Sequence, residues 1–160
     1  MALNRRQFIQ ASAATAAATT LGACSGESVS IDNSLPVGPY NAKSTAEEVT
    51  RDIDLTGKTA LVTGCNSGIG FETMRVLALR GAHVFGAGRT LEKAREACAG
   101  VEGNTTPLAL ELSDFDSCVA CARAVAAQTN SLDILIPNAG IGTFTEFELI
   151  NGIEKIFVVN

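Results

Sequence analysis

Two patterns of apolar and polar positions alternate along residues 57–160. Short apolar runs bounded by turn residues predict buried strands, while apolar positions at helical spacing predict helices. The predicted strands are KTALV (58–62), AHVFGA (82–87), TPLALEL (106–112) and LDILI (132–136). Strands and helices alternate throughout, and this pattern predicts an α/β fold with a parallel sheet and helices on both faces.

The first predicted helix follows the first strand and ends at Arg80, with Gly81 just past its C-terminus. One of its faces carries Ile69, Thr73, Val76 and Leu77. TLEKAREACAG (90–100) is a second helix, capped by Thr90 and stopped by Gly100 or Gly103.

SDFDSCVACARAVAAQ (113–128) predicts a third helix, and FELINGIEKIFVVN (147–160) predicts the start of a fourth. Upstream, STAEEVTR begins with Ser44 and Glu47 at the spacing of a capping box, which predicts a short helix outside the first strand. Residues 25–43 are rich in Ser, Asn, Gly and Pro and are typical of an extended tether.

TGCNSGIG (63–70) lies between the first strand and the first helix. Gly64 can supply the tight turn, Gly68 lets backbone approach a phosphate, and Gly70 lets the helix sit close to the strand. Free amides at a helix N-terminus bind anions, so the order of strand, glycine turn and helix predicts a site for a dinucleotide pyrophosphate. An ordinary turn is one alternative, because turns also contain glycine clusters. A P-loop is excluded, because it requires Gly-Lys-Ser/Thr and the sequence has none.

These residues resemble the short-chain dehydrogenase/reductase family, whose first motif is TGxxxGIG, and the resemblance extends over residues 57–160. The family's NNAG motif appears as PNAG (137–140), and the asparagine of its active-site tetrad as Asn160. STAEEVTRDIDLTGK and GAHVFGAGRT resemble the retinol-dehydrogenase-like, NADP-using branch. The resemblance implies that residues 44–160 are the N-terminal part of a Rossmann-type doubly wound parallel sheet, about four strands, truncated at its C-terminus.

Ribose specificity in such sheets is set where the second strand ends, by a carboxylate for NAD or an arginine for NADP. Gly88 and Arg89 occupy that point, and Arg89 can pair with a 2′-phosphate. We therefore expect NADP rather than NAD. The alternative is a surface arginine near a helix start.

The resemblance also implies that Glu111, followed by Leu112, contacts the adenine amine, although a solvated strand-end glutamate is the alternative. It places the loop containing Asn138 beneath the nicotinamide, and Pro137 removes one amide donor there. The expected cofactor-binding residues are Thr63, Gly64, Asn66, Ser67, Gly68, Ile69, Gly70, Arg89, Glu111, Leu112, Asn138, Ala139 and Gly140.

The implied reaction is hydride transfer between NADP(H) and a carbonyl or alcohol substrate, for which the family uses a serine, a tyrosine and a lysine four residues later. The single tyrosine, Tyr40, precedes the nucleotide fold, and Lys43 follows it by three. Asn160 is thus the one expected catalytic residue, and we expect an inactive N-terminal fragment of an oxidoreductase. A non-catalytic NADP(H)-binding or interaction module and a structural lipoprotein are the alternatives.

The first 24 residues resemble a bacterial export signal. NRRQFIQ precedes an Ala- and Thr-rich run at 11–23, as in twin-arginine leaders, and Leu21 to Cys24 resemble a lipobox. We expect an exported protein, lipid-anchored through Cys24 at the periplasmic face. The alternative is a frayed alanine-rich helix on a cytoplasmic protein.

Composition and the remaining residues narrow the function. With 46% hydrophobic and 18% charged residues the chain is globular, and its pI of about 4.8, without a basic block, argues against binding of nucleic acid.

Cys118 and Cys121 form a CxxC motif, but no second pair of cysteines or histidines completes a zinc site. We therefore expect small buried residues here and no metal site. Cys65 and Cys98 are read as structural, and His83 as a packing residue. The open edge of a four-strand half-sheet favours pairing with further strands, in agreement with truncation. A homo-oligomer is an open alternative for the partner.

Overall fold

Four parallel strands form the central sheet in the order β3-β2-β1-β4. The computed structural model describes residues 38–142 and 147–160. The strands are β1 (Thr59–Thr63), β2 (His83–Gly88), β3 (Thr105–Ala109) and β4 (Ile134–Ile136). The prediction of an α/β fold with a parallel sheet is confirmed. The export signal, the lipobox and most of the tether lie outside the described residues.

Helices cover both faces of this sheet. The helices are α1 (Ala46–Val49), α2 (Gly68–Leu79), α3 (Leu91–Ala99), α4 (Phe115–Ala126) and α5 (Lys155–Val159). Met74 of α2 and Ala94 of α3 pack with Val62 on one face. Cys121 of α4 packs with Leu61 and Phe85 on the other. Within the described part of the chain, no helix is long and apolar enough to cross a membrane.

The central position of β1 explains its composition. All five of its residues are buried, because strands pair on both sides and helices cover both faces. Pro107 lies in β3, which among the described strands pairs with β2 alone. The amide hydrogen that proline lacks is therefore missing from the outer side of an edge strand, where no described strand pairs. Strand β4 pairs with β1 alone among the described strands, and Leu135 is exposed there.

Three sulfur atoms surround Gly86 in the core. A Cβ added there would lie 2.6 Å from Met74 Sδ, 2.9 Å from Cys98 Sγ and 3.2 Å from Cys65 Sγ. Both thiols are buried, and burial raises the pKa of Cys65 to about 11. These two cysteines therefore have the packing environment expected of structural residues.

The other two cysteines and the histidine also have local partners. Cys121 is buried as predicted, whereas Cys118 is half-buried, with its thiol 3.8 Å from the carbonyl oxygen of Glu111. His83 begins β2, where its Nε2 lies 2.8 Å from Thr106 Oγ1 and its ring packs against Phe85. A packing role for the histidine agrees with these contacts.

The short N-terminal helix is present, but its cap lies one residue later than predicted. Thr45 Oγ1 accepts from the Glu48 amide at 3.2 Å, and Glu48 Oε2 accepts from the Thr45 amide at 2.8 Å. Ser44 instead accepts from the Asn41 amide in the preceding turn. Glu47 is then available to pair with Arg75, so α1 lies against α2.

The predicted buried face of the first helix was wrong at Ile69, which is 80% exposed. The face against the sheet is formed by Gly70, Met74 and Ala78, at four-residue spacing. Because Gly70 faces the end of β1, the residue before it is rotated about 100° towards solvent.

The predicted helix over 147–160 is restricted to α5. An antiparallel hairpin precedes it, formed by β5 (Leu149–Ile150) and β6 (Ile153–Glu154). Asn151 and Gly152 have φ of 50° and 82°, the left-handed pair that a type I′ turn requires. The Asn-Gly pair was the sequence signal for this hairpin.

Strand β3 also ends before the predicted residue 112. The Leu110 amide still donates to the carbonyl of Gly88 at 2.8 Å, but the chain then turns into α4. The Asp114 side chain caps that helix through two amides. Glu111 and Leu112 therefore lie in the loop beyond the strand.

Candidate functional site

A cavity of about 250 Å³ lies at the edge of the sheet where the parallel strands end. Ten of the residues expected to bind cofactor line it: Thr63, Gly64, Asn66, Ser67, Arg89, Glu111, Leu112, Asn138, Ala139 and Gly140. Three further lining residues were not predicted: Leu110, Ile141 and Val159. Ligands of open α/β sheets bind at this edge, outside the carboxyl ends of the strands.

The glycine loop makes its turn at Gly64, which has φ of 69° and donates its amide to the Ala87 carbonyl at 2.9 Å. Gly70 lies under the turn, where an added Cβ would be 2.2 Å from Gly64 O and 2.4 Å from Asn138 Nδ2. Both contacts are shorter than carbon atoms tolerate, so glycine is required for α2 to start this close to β1.

Gly68 differs from its neighbours because nothing lies within 4 Å of the Cβ position. Its φ of 56° is the left-handed conformation that favours glycine. The open space around it leaves room for a ligand against the backbone. Approach of a phosphate to Gly68 stays a prediction.

The loop after β4 is fastened to the end of β1. Asn138 Nδ2 donates to the Thr63 carbonyl at 3.0 Å, and the Ala139 amide donates to Thr63 Oγ1 at 2.9 Å. Pro137 follows the last residue of β4, so its missing amide interrupts no strand pairing. One wall of the cavity is thereby held against the glycine loop.

Helix α2 begins at this cavity without a side-chain cap. Its N-cap, Ser67, is extended and accepts no hydrogen bond from the first turn. The other helices of the described residues have side-chain caps, from Thr45, Thr90, Asp114 and Glu154. The amides of the first turn of α2, carrying the positive end of the helix dipole, are thus available to an anion.

Arg89 and Glu111 face each other across the neighbouring strand ends. Arg89 Nε lies 3.6 Å from Glu111 Oε2, and the arginine side chain is 66% exposed. The carboxylate of Glu111 also accepts from the hydroxyl and the amide of Ser113, at 2.7 and 3.0 Å. These hydrogen bonds, with the charge of Arg89, lower the pKa of Glu111.

Asn160 holds the loop after β4 from the other side. Its Nδ2 donates to the carbonyl of Ile141 at 2.9 Å, and its Oδ1 accepts the Ile141 amide at 2.8 Å. Oδ1 also lies 3.1 Å from where a Cβ on Gly140 would be. The structure gives Asn160 this positioning contact, and its catalytic role stays a prediction.

Residues 58–160 match the family model described as short chain dehydrogenase. The chain belongs to the short-chain dehydrogenase family. The matched region includes every strand and all of the described helices except α1. Residues 2–22 match the twin-arginine translocation pathway signal sequence, which indicates export across a membrane.

Individual relatives are similar over the same region. Short chain dehydrogenase/reductase dpchH of Colletotrichum higginsianum is 39% identical over 115 residues, covering 67% of this chain and 29% of that protein. Chloroplastic short-chain dehydrogenase TIC 32 A of Brassica napus is 39% identical over 127 residues, covering 76% and 39%. A crystal structure of an uncharacterized protein from Mycobacterium paratuberculosis has a TM-score of 0.57 and 33% identity, covering 68% and 39%. The chain therefore spans 39% or less of the length of these proteins.

Some predicted site residues of this member of the short-chain dehydrogenase family do not line the cavity. Gly68, Ile69, Gly70 and Asn160 are not among its lining residues, although Gly70 and Asn160 shape it through the contacts above. Tyr40 is half exposed and does not line the cavity. Ile141 carried no sequence signal, because only the fold brings it to Asn160.

Proposed function

We propose that this chain is the NADP(H)-binding part of an exported short-chain oxidoreductase. The full enzyme transfers hydride between NADP(H) and a carbonyl or alcohol carbon. The observation that carries the proposal is the uncapped start of α2 at a cavity that also contains Arg89 and the loop of Asn138. An anion-binding helix end, a cation and a fixed loop at one sheet edge fit a dinucleotide phosphate.

Each part of the cavity has a role in this proposal. The first amides of α2 bind the pyrophosphate, and glycine at 64 and 70 lets the helix start close to the strand. Asn138 and Gly140 support the nicotinamide end, in a loop that is held by the hydrogen bonds of Asn138 with Thr63 and of Ile141 with Asn160. Bound NADPH would supply the hydride to a carbonyl carbon, or bound NADP⁺ would accept it from an alcohol carbon, while the chain binds and orients the nucleotide.

Arg89 supports NADP over NAD. Its guanidinium lies at the end of β2 on the cavity wall, and it can form charge-assisted hydrogen bonds to a 2′-phosphate. Gly88, the last residue of β2, offers no carboxylate to a ribose hydroxyl. A surface arginine without a ligand role remains the alternative that the following test addresses.

Titration of the full chain with NADPH and NADH, followed by cofactor fluorescence, tests the proposal. We expect saturable binding of both, with NADPH tighter. Arg89→Ala should raise the dissociation constant of NADPH by at least about tenfold, which is the effect of losing a hydrogen bond to a charged group. The dissociation constant of NADH should stay within about twofold of the wild-type value. Arg95→Ala, an exposed arginine on α3, is the matched control.

The proposed function fails if the wild-type chain binds neither cofactor. The narrower NADP assignment fails if Arg89→Ala leaves the ratio of the two dissociation constants unchanged. These two outcomes separate a wrong site from a wrong cofactor.

We further propose that these 160 residues bind cofactor without turnover. The only tyrosine of the sequence is Tyr40, which is away from the cavity, and Lys43 does not complete a YxxxK motif. The same observation favours a second candidate, a non-catalytic NADP(H)-binding or interaction module. Reading the gene past Asn160 separates the two, since the enzyme requires a serine and a YxxxK motif there.

The location that we propose is the periplasmic face of a bacterial membrane, with the lipid on Cys24. The match to a twin-arginine signal supports export. The lipobox-like residues 21–24 at the end of the signal support the anchor.

A further inference from the structure

The Arg89 and Glu111 side chains are brought together by the sheet itself. The amide of Leu110 donates to the carbonyl of Gly88 at 2.8 Å, which places the residues that follow each strand side by side. Both then line the cavity. Glu111 therefore lies beside the arginine that we propose binds the 2′-phosphate.

The carboxylate of Glu111 is held in a fixed orientation. Its Oε1 accepts from both the amide and the hydroxyl of Ser113, and its own amide donates to Ser117 Oγ at 2.9 Å. The other oxygen, Oε2, is the one that faces Arg89. A carboxylate with one oxygen engaged by Ser113 and the other directed at a guanidinium is poorly placed to accept from an adenine amine.

The Glu111 carboxylate approaches Arg89 at one edge of the guanidinium. Nε is the atom that pairs with Glu111, at 3.6 Å. The guanidinium is a planar fork, so a carboxylate at its Nε edge leaves the two terminal nitrogens for a second acceptor. With 66% of the side chain exposed at the cavity wall, that acceptor can come from a ligand.

We propose that Glu111 is a positioning residue for cofactor specificity: it holds Arg89 so that its terminal nitrogens meet the 2′-phosphate of NADP(H). This inference rests on the proposed function and deepens it. It replaces the adenine contact that the resemblance implies for Glu111.

Two opposite effects determine whether Glu111 strengthens or weakens the binding of NADPH. A negative carboxylate repels a 2′-phosphate, but the guanidinium would lie between the two groups, and solvent screens an exposed pair. Holding a long arginine side chain before binding reduces the rotamer freedom that it loses on binding. We expect positioning to exceed repulsion, because it acts at contact distance.

The test measures the dissociation constants of NADPH and NADH for the full chain and its variants. Glu111→Gln should weaken NADPH by about threefold to fivefold, the size of a solvent-exposed ion-pair effect, and leave NADH unchanged. Ser113→Ala should act in the same direction with a smaller effect. Glu102→Gln, which removes the same charge at an exposed position, is the control.

A double variant separates positioning from other roles. In the Arg89→Ala background, Glu111→Gln should have no further effect on NADPH, because Glu111 acts through the arginine. An effect that persists there overturns the proposal.

Three further outcomes are decisive. Equal weakening of both cofactors identifies an adenine contact instead. Tighter NADPH binding by Glu111→Gln shows that repulsion dominates, and it too rejects the proposal. Failure of the wild-type chain to bind either cofactor rejects the proposed function on which the inference rests.

Discussion

Gly70 lies where helix α2 crosses the end of strand β1, and a hydrogen atom is all that the space allows. The Asn138 amide fills the region beside it while it bonds to Thr63. Three separate parts of the chain thus meet at one residue without a side chain. Packing of this kind links the glycine loop to the loop after β4.

Gly70→Ala should destabilise the fold and weaken dinucleotide binding. The new methyl group would lie 2.2 Å from Gly64 O, a backbone atom that cannot move without displacing the loop. Overpacking of this kind costs about 1–3 kcal/mol, measurable as a lower urea midpoint.

Gly38→Ala is the control for Gly70→Ala, because nothing lies within 4 Å of its Cβ position. Its effect should stay within about 0.5 kcal/mol. Equal stability of the two variants would contradict the close approach of α2 to β1.

Residue types at the site could be predicted where the chemistry demands one residue. Gly64 and Gly70 carry a backbone requirement that a sequence displays directly. Ile69 was misplaced because apolar periodicity does not reveal that Gly70, with no side chain, faces the sheet. Ile141 was missed because the Asn160 amide bonds to its backbone, and a backbone contact leaves no mark on residue identity.

At the scale of elements, the strands and helices of the parallel sheet followed from their apolar patterns. The hairpin β5–β6 did not, because helical spacing was preferred to the Asn-Gly signal at 151–152. The end of β3 was misplaced because the hydrogen bonds of Ser113 and Ser117 with Glu111 turn the chain, and such local bonds compete with a strand.

Asp133 joins two of these elements at the amino-terminal ends of the strands, on the opposite side of the sheet from the cavity. Its carboxylate accepts the Thr59 amide at 2.9 Å and lies 3.1 Å from Lys58 Nζ, tying the start of β1 to the residue before β4. The amide hydrogen bond, followed by the contact with Lys58, lowers the pKa of Asp133.

We expect Asp133 to make stability depend on acid pH. A lowered pKa means that the folded state favours the ionised form, so the contribution is complete above the ordinary aspartate pKa of about 3.9 and is lost as pH falls through the lower folded value. Urea midpoints at pH 7 and pH 3 should therefore differ less in Asp133→Asn than in the wild type.

Other carboxylates also titrate in this range, so the comparison needs a matched variant. Asp52→Asn, at an exposed position, should keep the wild-type difference between the two pH values. A wild-type pH response in Asp133→Asn would show that the tie between β1 and β4 contributes nothing.

At the scale of the whole molecule, a twin-arginine signal precedes a fold of the short-chain dehydrogenase family. This export route carries folded proteins, so a protein that takes it can acquire its cofactor in the cytoplasm. The two features are consistent with each other in that respect.

Lysine at both Arg5 and Arg6 should retain the protein in the cytoplasm, because the paired guanidinium groups define the signal. Fractionation of cells with antibody detection measures this. Cys24→Ala should preserve export but release the protein from the membrane fraction, since we propose that the Cys24 thiol carries the lipid. Export that continues after the arginine changes would contradict the assignment of the route.

Helix α1 determines where residues 40–45 enter the domain. Arg80, at the end of α2, donates to the Glu47 carbonyl and to Thr50 Oγ1, while Arg75 pairs with the Glu47 carboxylate. The cavity lies at the other end of this 12-residue helix, about 18 Å away. Residues 40–45 thus enter the domain beside one end of α2, while the cavity lies at the other end, so their point of entry leaves the mouth of the cavity open to diffusing molecules.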